Sequence, residues 1–241
     1  MYKEKRSRSI IKTVSWRISS TVITILLVWG FTRQMAAALA VGGIEVFLKM
    51  FLYYFHERYW NKINFGRVEV APFVLWFTGL PGSGKSTIAD AVYEELKKEN
   101  RKMERLDGES VRQLFPKTGF SREERIQHIE RVGHLSSILV KNNITVVASF
   151  ISPYRESRQF VRRISTNFIE IYINTSLEVC EKRDPKGLYA KARKGEIKQF
   201  TGIDDPYEEP ENPSLVIDTV NKNVDENVKI IMEFLKNRDL V

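Results

Sequence analysis

FVLWFTGLPGSGKST, Phe73 to Thr87, is the stretch on which the fold turns. Phe73 to Thr78 is an almost unbroken apolar run of strand length, as expected for a strand covered on both faces. Gly79, Leu80, Pro81, Gly82, Ser83, Gly84, Lys85 and Ser86 then satisfy G-x-x-x-x-G-K-[ST]. Thr87 to Asn100 follow with apolar residues at helical spacing. Strand, glycine turn and helix thus come in the order that a phosphate cradle needs. Glycines let backbone N–H groups turn inward as an anion nest, and the helix N-terminus adds its dipole. Lys85 is placed to reach β- and γ-phosphates, and the Ser86 hydroxyl to ligate Mg²⁺. The segment Gly79 to Thr87 is therefore expected to bind ATP with Mg²⁺.

Working outward toward the C-terminus, strand-like runs recur at Lys102–Leu106, Ile144–Phe150, Phe168–Asn174 and Leu215–Asp218, with helical patterns between them. This alternation predicts an α/β fold, a doubly wound parallel sheet. Ligands of such sheets sit at the carboxyl ends of strands, so Asp107 and the segment Ser149 to Tyr154 point at the site.

Toward the N-terminus the pattern is different. Ile18 to Thr32 carries no charge and is bracketed by Arg17 and Arg33. Met35 to Phe55 is apolar except for Glu45 and Lys49, which can pair at i, i+4. Each stretch can just cross a hydrocarbon core of about 30 Å if its arginines snorkel. A membrane hairpin is expected over residues 1–66, with spans at 15–32 and 35–55. A linker (67–71) and the phosphate-cradle domain (72–241) would follow it. Basic residues at both ends (Lys3, Lys5, Arg6, Arg8, Lys12 and Arg17, then Arg58, Lys62 and Arg67) place both termini in the cytoplasm by the positive-inside rule. A soluble or interfacial helical hairpin is the alternative. The frame Ser15-Trp16-Arg17…His56-Glu57-Arg58-x-Trp60 resembles a small membrane-domain family of unassigned function.

Charge supports this division. The net charge of +8 comes almost wholly from residues 1–70, with eleven Lys/Arg against four Asp/Glu, while residues 71–241 hold twenty-seven against twenty-six. Basic residues beside apolar stretches suit anionic lipid headgroups, not a nucleic-acid groove. The single cysteine, Cys180, excludes an intrachain disulfide and a cysteine-based zinc site, and reads as a small helix residue. His128 and His134, six apart, lack ligand spacing.

From about residue 72 the chain resembles the adenylylsulfate kinase family. The motifs that carry the resemblance are GLPGSGKST, LDGESVR (Leu106–Arg112), TGFSREER (Thr118–Arg125), FISPYRESR (Phe150–Arg158) and DPKGLYAKARKGEIKQFTGIDDPYEEP (Asp184–Pro210). The resemblance implies transfer of the ATP γ-phosphoryl group to the 3′-hydroxyl of adenylyl sulfate. It implies that Lys85, Ser86 and Asp107 are catalytic, and that Asp107 orients Mg²⁺ and the attacking hydroxyl. Arg112 and Arg125 would hold the phosphosulfate, since a planar guanidinium pairs with oxyanions. Phe120 and Phe200 would sandwich the substrate adenine, and Ile151 and Ser152 would line its pocket. Arg183 would face ATP and Lys186 the substrate. Residues 184–206 would form a lid that excludes water. Ser152 aligns with a serine that relatives can carry phosphorylated. Family members are often homodimers, and a tethered kinase could hand its product to a membrane-associated sulfotransferase or reductase.

The chain departs from the family pattern twice. Asp107-Gly108-Glu109-Ser110 stands where many members have DGDN, and Gln127-His128-Ile129-Glu130-Arg131 where they have ENIRR. A substrate-contacting Asn is thus His128, whose imidazole can still donate a hydrogen bond. Two other readings stay open: a sister kinase for another small nucleotide, and a nucleotide sensor without catalysis. Read without the resemblance, Asp107-Gly108 could be a plain turn, Phe120 and Phe200 core aromatics, and Arg112 and Arg125 solvated helix residues.

Overall fold

The computed structural model describes residues 2–4, 6–31, 35–63, 67–69, 71–99, 101–115 and 118–241; side chains at 2–6, 8, 9, 21, 25, 26, 29, 31–46 and 67–69 lie outside it. The chain divides into two compact units, Tyr2–Glu69 and Val70–Val241.

In the first unit, β1 (Tyr2–Glu4) precedes α1 (Arg6–Phe31) and α2 (Met35–Lys62), and β2 (Arg67–Glu69) pairs antiparallel with β1. The two helices run antiparallel and are joined at their open end by polar contacts. Lys12 Nζ meets Glu57 Oε1 at 2.8 Å. Ser15 Oγ lies 3.0 Å from His56 Nε2, and Trp60 Nε1 donates to that nitrogen at 3.1 Å. Trp16 packs edge-on against Tyr53, with ring centroids 5.0 Å apart. The SWR…HERxW frame is thus a clasp across the hairpin, and His56 is a hydrogen-bond acceptor in it.

Two expectations change here. Residues 67–69 form a strand where a linker was expected, because Arg67-Val68-Glu69 finds a partner in Tyr2–Glu4. The helices begin earlier or end later than the expected spans, and much of the added length is polar, as at Ser7 to Arg8 and His56 to Lys62. Among the described residues, no helix is long and apolar enough to cross a membrane. The Arg33–Gln34 turn and the Glu45 side chain, hence its pairing with Lys49, lie outside the described residues.

The second unit alternates strand and helix. β3 (Val74–Thr78) leads to α3 (Lys85–Lys97), β4 (Met103–Asp107) to α4 (Gly108–Leu114) and α5 (Arg122–Lys141). Then come β5 (Thr145–Ser149), α6 (Arg155–Ile164), β6 (Phe168–Asn174), α7 (Leu177–Arg183), α8 (Leu188–Arg193), β7 (Leu215–Asp218) and α9 (Val224–Lys236). The sheet is parallel, in the order β4-β5-β3-β6-β7, as the sequence alternation predicts.

The apolar run of β3 is explained by its central place. Phe73, Leu75 and Phe77 pack with α3 and α9, around Ile88, Val92, Leu96, Ile231 and Leu235. Val74 and Trp76 point the other way, toward Val111, Ile129, Val132 and Val161. Alternate residues therefore bury on opposite faces, and each large apolar side chain so buried contributes about 1.5–3 kcal/mol. Because β5 and β6 flank β3 on either side, the chain's path switches direction at β3. The crevice at its carboxyl end is where such folds bind ligands.

Candidate active site

The glycine turn after β3 is shaped by backbone contacts. Gly79 has φ +152°, and a Cβ there would lie 2.7 Å from the Ile173 carbonyl oxygen. Gly82 has φ +74° and would meet the Cys180 carbonyl at 3.1 Å. Only glycine tolerates that conformation and that approach together. The turn's floor is held through the Ser83 carbonyl, which accepts from Thr219 Oγ1 at 2.9 Å and Thr175 Oγ1 at 3.3 Å. Arg183 lies over the same point: Nη1 donates to Thr219 Oγ1 at 3.0 Å and Nη2 to the Thr219 carbonyl at 2.6 Å.

Lys85 opens α3 and is 7 % exposed. Its Nζ donates to the Leu80 carbonyl at 2.6 Å and to Ser83 Oγ at 3.4 Å, so the ammonium is folded into its own loop. Burial lowers its pKa to about 8, with Cys180 opposing slightly. The loop thus fits an anion by a buried cation that here bonds to loop oxygens.

Ser86, next on α3, is exposed, and its Oγ lies 3.3 Å from Ser149 Oγ at the end of β5. Asp107, at the end of β4, is the register partner of Ser149. Ser86 and Asp107 therefore flank Ser149 from two sides. Asp107 caps α4: its Oδ1 accepts from the amides of Glu109 at 2.8 Å and Ser110 at 2.9 Å. Partial burial pushes the carboxyl up, but those amides, the Ser110 hydroxyl and Arg105 outweigh it and hold its pKa below the ordinary value. An ionised carboxylate beside an exposed hydroxyl is a hard-oxygen donor set that fits Mg²⁺. Among the described residues, no group of three His, Cys, Asp or Glu side chains could hold a metal ion by itself.

The expected substrate side chains gather around Phe120. This ring is 56 % exposed and lies under two guanidinium groups, Arg112 at 4.3 Å and Arg125 at 5.6 Å from its centroid. Arg125 also donates from Nε to the Phe120 carbonyl at 2.7 Å, from Nη1 to Thr201 Oγ1 at 2.7 Å, and from Nη2 to the Gln199 carbonyl. Phe200 is placed differently: it is 8 % exposed and packs edge-on against Tyr189, with centroids 5.0 Å apart. Lys186 meets Glu109 Oε2 at 3.3 Å, with both side chains largely exposed.

His128 lies one turn beyond Arg125 on α5 and is 4 % exposed. Neither ring nitrogen has a hydrogen-bond partner, and the ring sits among Phe115, Phe150 and the positive charges of Arg112 and Arg131. Burial, then those charges, lower its pKa to about 4, so it is neutral.

Ser152 is 1 % exposed and has φ +39°. It accepts from Trp76 Nε1 at 3.1 Å and donates to Thr78 Oγ1 at 2.9 Å. Thr78 in turn donates to the Ile151 carbonyl at 2.8 Å and lies 2.9 Å from the Tyr207 hydroxyl. The hydroxyl that aligns with a serine relatives can carry phosphorylated is thus enclosed, with its donor and an acceptor position already in use.

The acidic part of the longest motif is structural. Asp204 accepts from the amides of Gln199 and Phe200, at 2.6 and 2.5 Å. Asp205 accepts from the Tyr154 hydroxyl at 2.8 Å, and Glu208 from the Arg155 amide at 2.8 Å. Arg158, from FISPYRESR, is buried on Glu170 at 3.0 Å. The residues expected to form a lid are stitched to the phosphate loop, since Tyr189 donates to the Pro81 carbonyl at 2.9 Å. A cavity of ≈ 670 Å³ lies between that loop and this segment, lined by Leu80, Asn174, Leu177, Gly202 and Tyr207 among others. Of the expected ligand-binding residues, only Leu80 lines it.

Sequence reasoning missed Arg105. An arginine in a strand-like run, two residues before Asp107 and hence on its face, was the signal available. Cys180 is buried on α7, and burial raises its thiol pKa.

Comparison with known proteins agrees with this geometry. Residues 71–218 match the family model for adenylylsulphate kinase, and residues 10–61 match a family described as a predicted membrane protein. Adenylyl-sulfate kinase of Geotalea daltonii is 50 % identical over 190 residues, which cover 77 % of this chain and 94 % of that protein. The Halothermothrix orenii adenylyl-sulfate kinase is 48 % identical over 168 residues, 69 % of this chain and 91 % of the other. The APS kinase CysC of Mycobacterium tuberculosis, solved in complex with AMPPNP and APS, superposes with a TM-score of 0.67 at 38 % identity, covering 70 % of this chain and 99 % of that one. With the family model matched over residues 71–218 and relatives about half identical along nearly their whole length, this chain belongs to the adenylylsulphate kinase family.

Proposed function

We propose that the protein transfers the γ-phosphoryl group of ATP to the 3′-hydroxyl of adenylyl sulfate. The 3′ oxygen forms a bond to the γ-phosphorus as the bond to the β–γ bridging oxygen breaks, so that ADP leaves and 3′-phosphoadenylyl sulfate forms. The observation that carries this reading is that Ser86 Oγ lies 3.3 Å from Ser149 Oγ while Asp107 is the register partner of Ser149, beside the phosphate loop. A hydroxyl and an ionised carboxylate on neighbouring elements would there serve a cation and a transferring phosphoryl group.

In this reading Lys85 leaves its loop carbonyl for the β- and γ-phosphates, and Arg183 covers the nucleotide. Asp107, ionised and fixed by two amides, orients the attacking hydroxyl and takes up its proton. Ser86 and Asp107 are the residues that would hold Mg²⁺, which when bound neutralises charge building up on the phosphoryl oxygens. Arg112 and Arg125 hold the phosphosulfate, and the exposed face of Phe120 takes the adenine. Phe200, Ile151 and Ser152 close the pocket wall, Lys186 exchanges Glu109 for the substrate's charge, and His128 gains a substrate hydrogen bond. The 184–206 segment excludes water that could otherwise accept the phosphoryl group.

An ADP-release assay with adenylyl sulfate, AMP and CMP offered side by side tests the acceptor. Turnover with adenylyl sulfate alone is the expected result. Turnover with another nucleotide alone would move the protein to a sister kinase, and nucleotide binding without turnover would make it a sensor.

We further propose that residues 1–66 bring the kinase to a membrane as a two-span hairpin with both ends cytoplasmic. The family match over residues 10–61 and the exposed Ile10, Ile18, Phe47, Met50, Phe51 and Phe55 support this. Resistance of the full chain to alkaline carbonate extraction, lost when residues 1–66 are removed, is expected. Release by carbonate would reduce the hairpin to an interfacial anchor.

A further inference from the structure

Arg105 stands two residues before Asp107 on β4, and its side chain is only 14 % exposed. Its hydrogen bonds all serve the ground beneath Ser86. Nε donates to Asp90 Oδ1 at 2.8 Å, and Nη1 to the carbonyls of Leu106 at 2.7 Å and Val147 at 3.2 Å. Nη2 donates to Ser149 Oγ at 3.0 Å. Asp90 and Ser86 are four apart on α3 and so share a face of that helix. The contacts therefore form a closed circuit: α3 through Asp90 to Arg105, across to Ser149, and back to α3 at Ser86, 3.3 Å from Ser149.

The chemistry of the circuit has a direction. Arginine has donors only, so Ser149 Oγ must accept from it. That fixes the Ser149 side chain and leaves its proton and second lone pair for Ser86. A serine hydroxyl at an exposed helix start otherwise has three staggered wells open to it. Ser149 selects among them, and Arg105, pinned at three further points, keeps Ser149 from turning away.

We propose that Arg105 and Ser149 are positioning residues that set the Ser86 hydroxyl for the divalent cation carried by the nucleotide. The inference rests on the reading that Ser86 meets Mg²⁺. It concerns the residues behind the one that meets the ion, whose loss in metal sites costs about 10- to 100-fold in affinity.

The test is calorimetric binding of ADP to the full chain, with and without Mg²⁺, in wild type, Ser149→Ala, Arg105→Lys and Ser149→Thr. Thermal melts confirm that each variant is folded. The expected result is unchanged Mg²⁺-free affinity in every variant. The gain in affinity on adding Mg²⁺ falls about 10-fold in Ser149→Ala and Arg105→Lys, and Ser149→Thr keeps it. An equal Mg²⁺ gain in wild type and both weakened variants overturns the inference and leaves the kinase reading standing. A parallel loss with and without Mg²⁺ also overturns it, because Arg105 is then a strut for the whole loop. A wild type that gains nothing from Mg²⁺ overturns the reading beneath it as well.

Discussion

Around Lys85, the groups proposed to bind phosphate come from one run of eight residues, Gly79 to Ser86. Around Phe120, the side chains proposed to hold the acceptor come from separate segments, at Arg112, Phe120–Arg125 and His128, with Arg125 braced from Gln199–Thr201. The first region is filled and self-satisfied: Lys85 is buried and its ammonium bonds to its own loop. The second has an exposed ring under two cations and a buried imidazole with nothing to bond. A nest of amides reads any phosphate and so points to a nucleotide without choosing the acceptor. Side chains converging from distant segments can read a particular acceptor.

The comparison breaks first at Lys85. Lys85→Ala is expected to lower kcat by about 10³-fold with every acceptor, since it removes a preorganised donor at the phosphoryl group. Steady-state kinetics on two acceptors would show whether the loss is common to both. Arg112→Ala and Arg125→Ala should act on one side only. Each is expected to raise KM for adenylyl sulfate about 10- to 100-fold, the value of a charge-assisted hydrogen bond, with KM for ATP unchanged. A matching rise in KM for ATP would merge the two regions into one.

The difference also explains what could be read in advance. The glycine turn is a contiguous pattern whose physics is local, so Gly79 to Ser86 were assignable from spacing alone, as were the parallel strands from their apolar runs. Arg112, Phe120 and Arg125 became candidates only through family resemblance, because nothing local says that α5 will lay Arg125 against Thr201, 76 residues away. The acids of Asp204 to Glu208 stood in the sequence only as part of a family motif, and their contacts make them caps and anchors, since a carboxylate's partner depends on tertiary contacts. Arg105 was overlooked because a charged residue in a strand reads as solvated, whereas here its guanidinium makes four hydrogen bonds, to Asp90, Leu106, Val147 and Ser149.

Smaller effects sharpen the contrast. Lys85 titrates at about 8 without ligand, and phosphate binding favours the ammonium form. Below that pH the charge is present before binding. Above it, binding must take up a proton, so the Kd for ADP is expected to rise about tenfold per pH unit above 8, with proton uptake visible in buffers of different ionisation enthalpy. His128→Leu removes two unpaired buried nitrogens and is expected to raise Tm while raising KM for adenylyl sulfate, separating the cost of the orphan from its use. Glu109→Gln, at an exposed pair with Lys186, should leave Tm unchanged.

The central claim, that one region supplies phosphoryl transfer and the other chooses its acceptor, is tested most directly by a single-turnover experiment with γ-labelled ATP. The full chain is mixed with adenylyl sulfate and the label is traced by mass spectrometry. Label on the 3′ oxygen of adenylyl sulfate, abolished by Asp107→Ala and reduced by Arg125→Ala without a rise in free phosphate, is the predicted result. Label released chiefly as inorganic phosphate, at a rate indifferent to adenylyl sulfate and to Arg125, would contradict it.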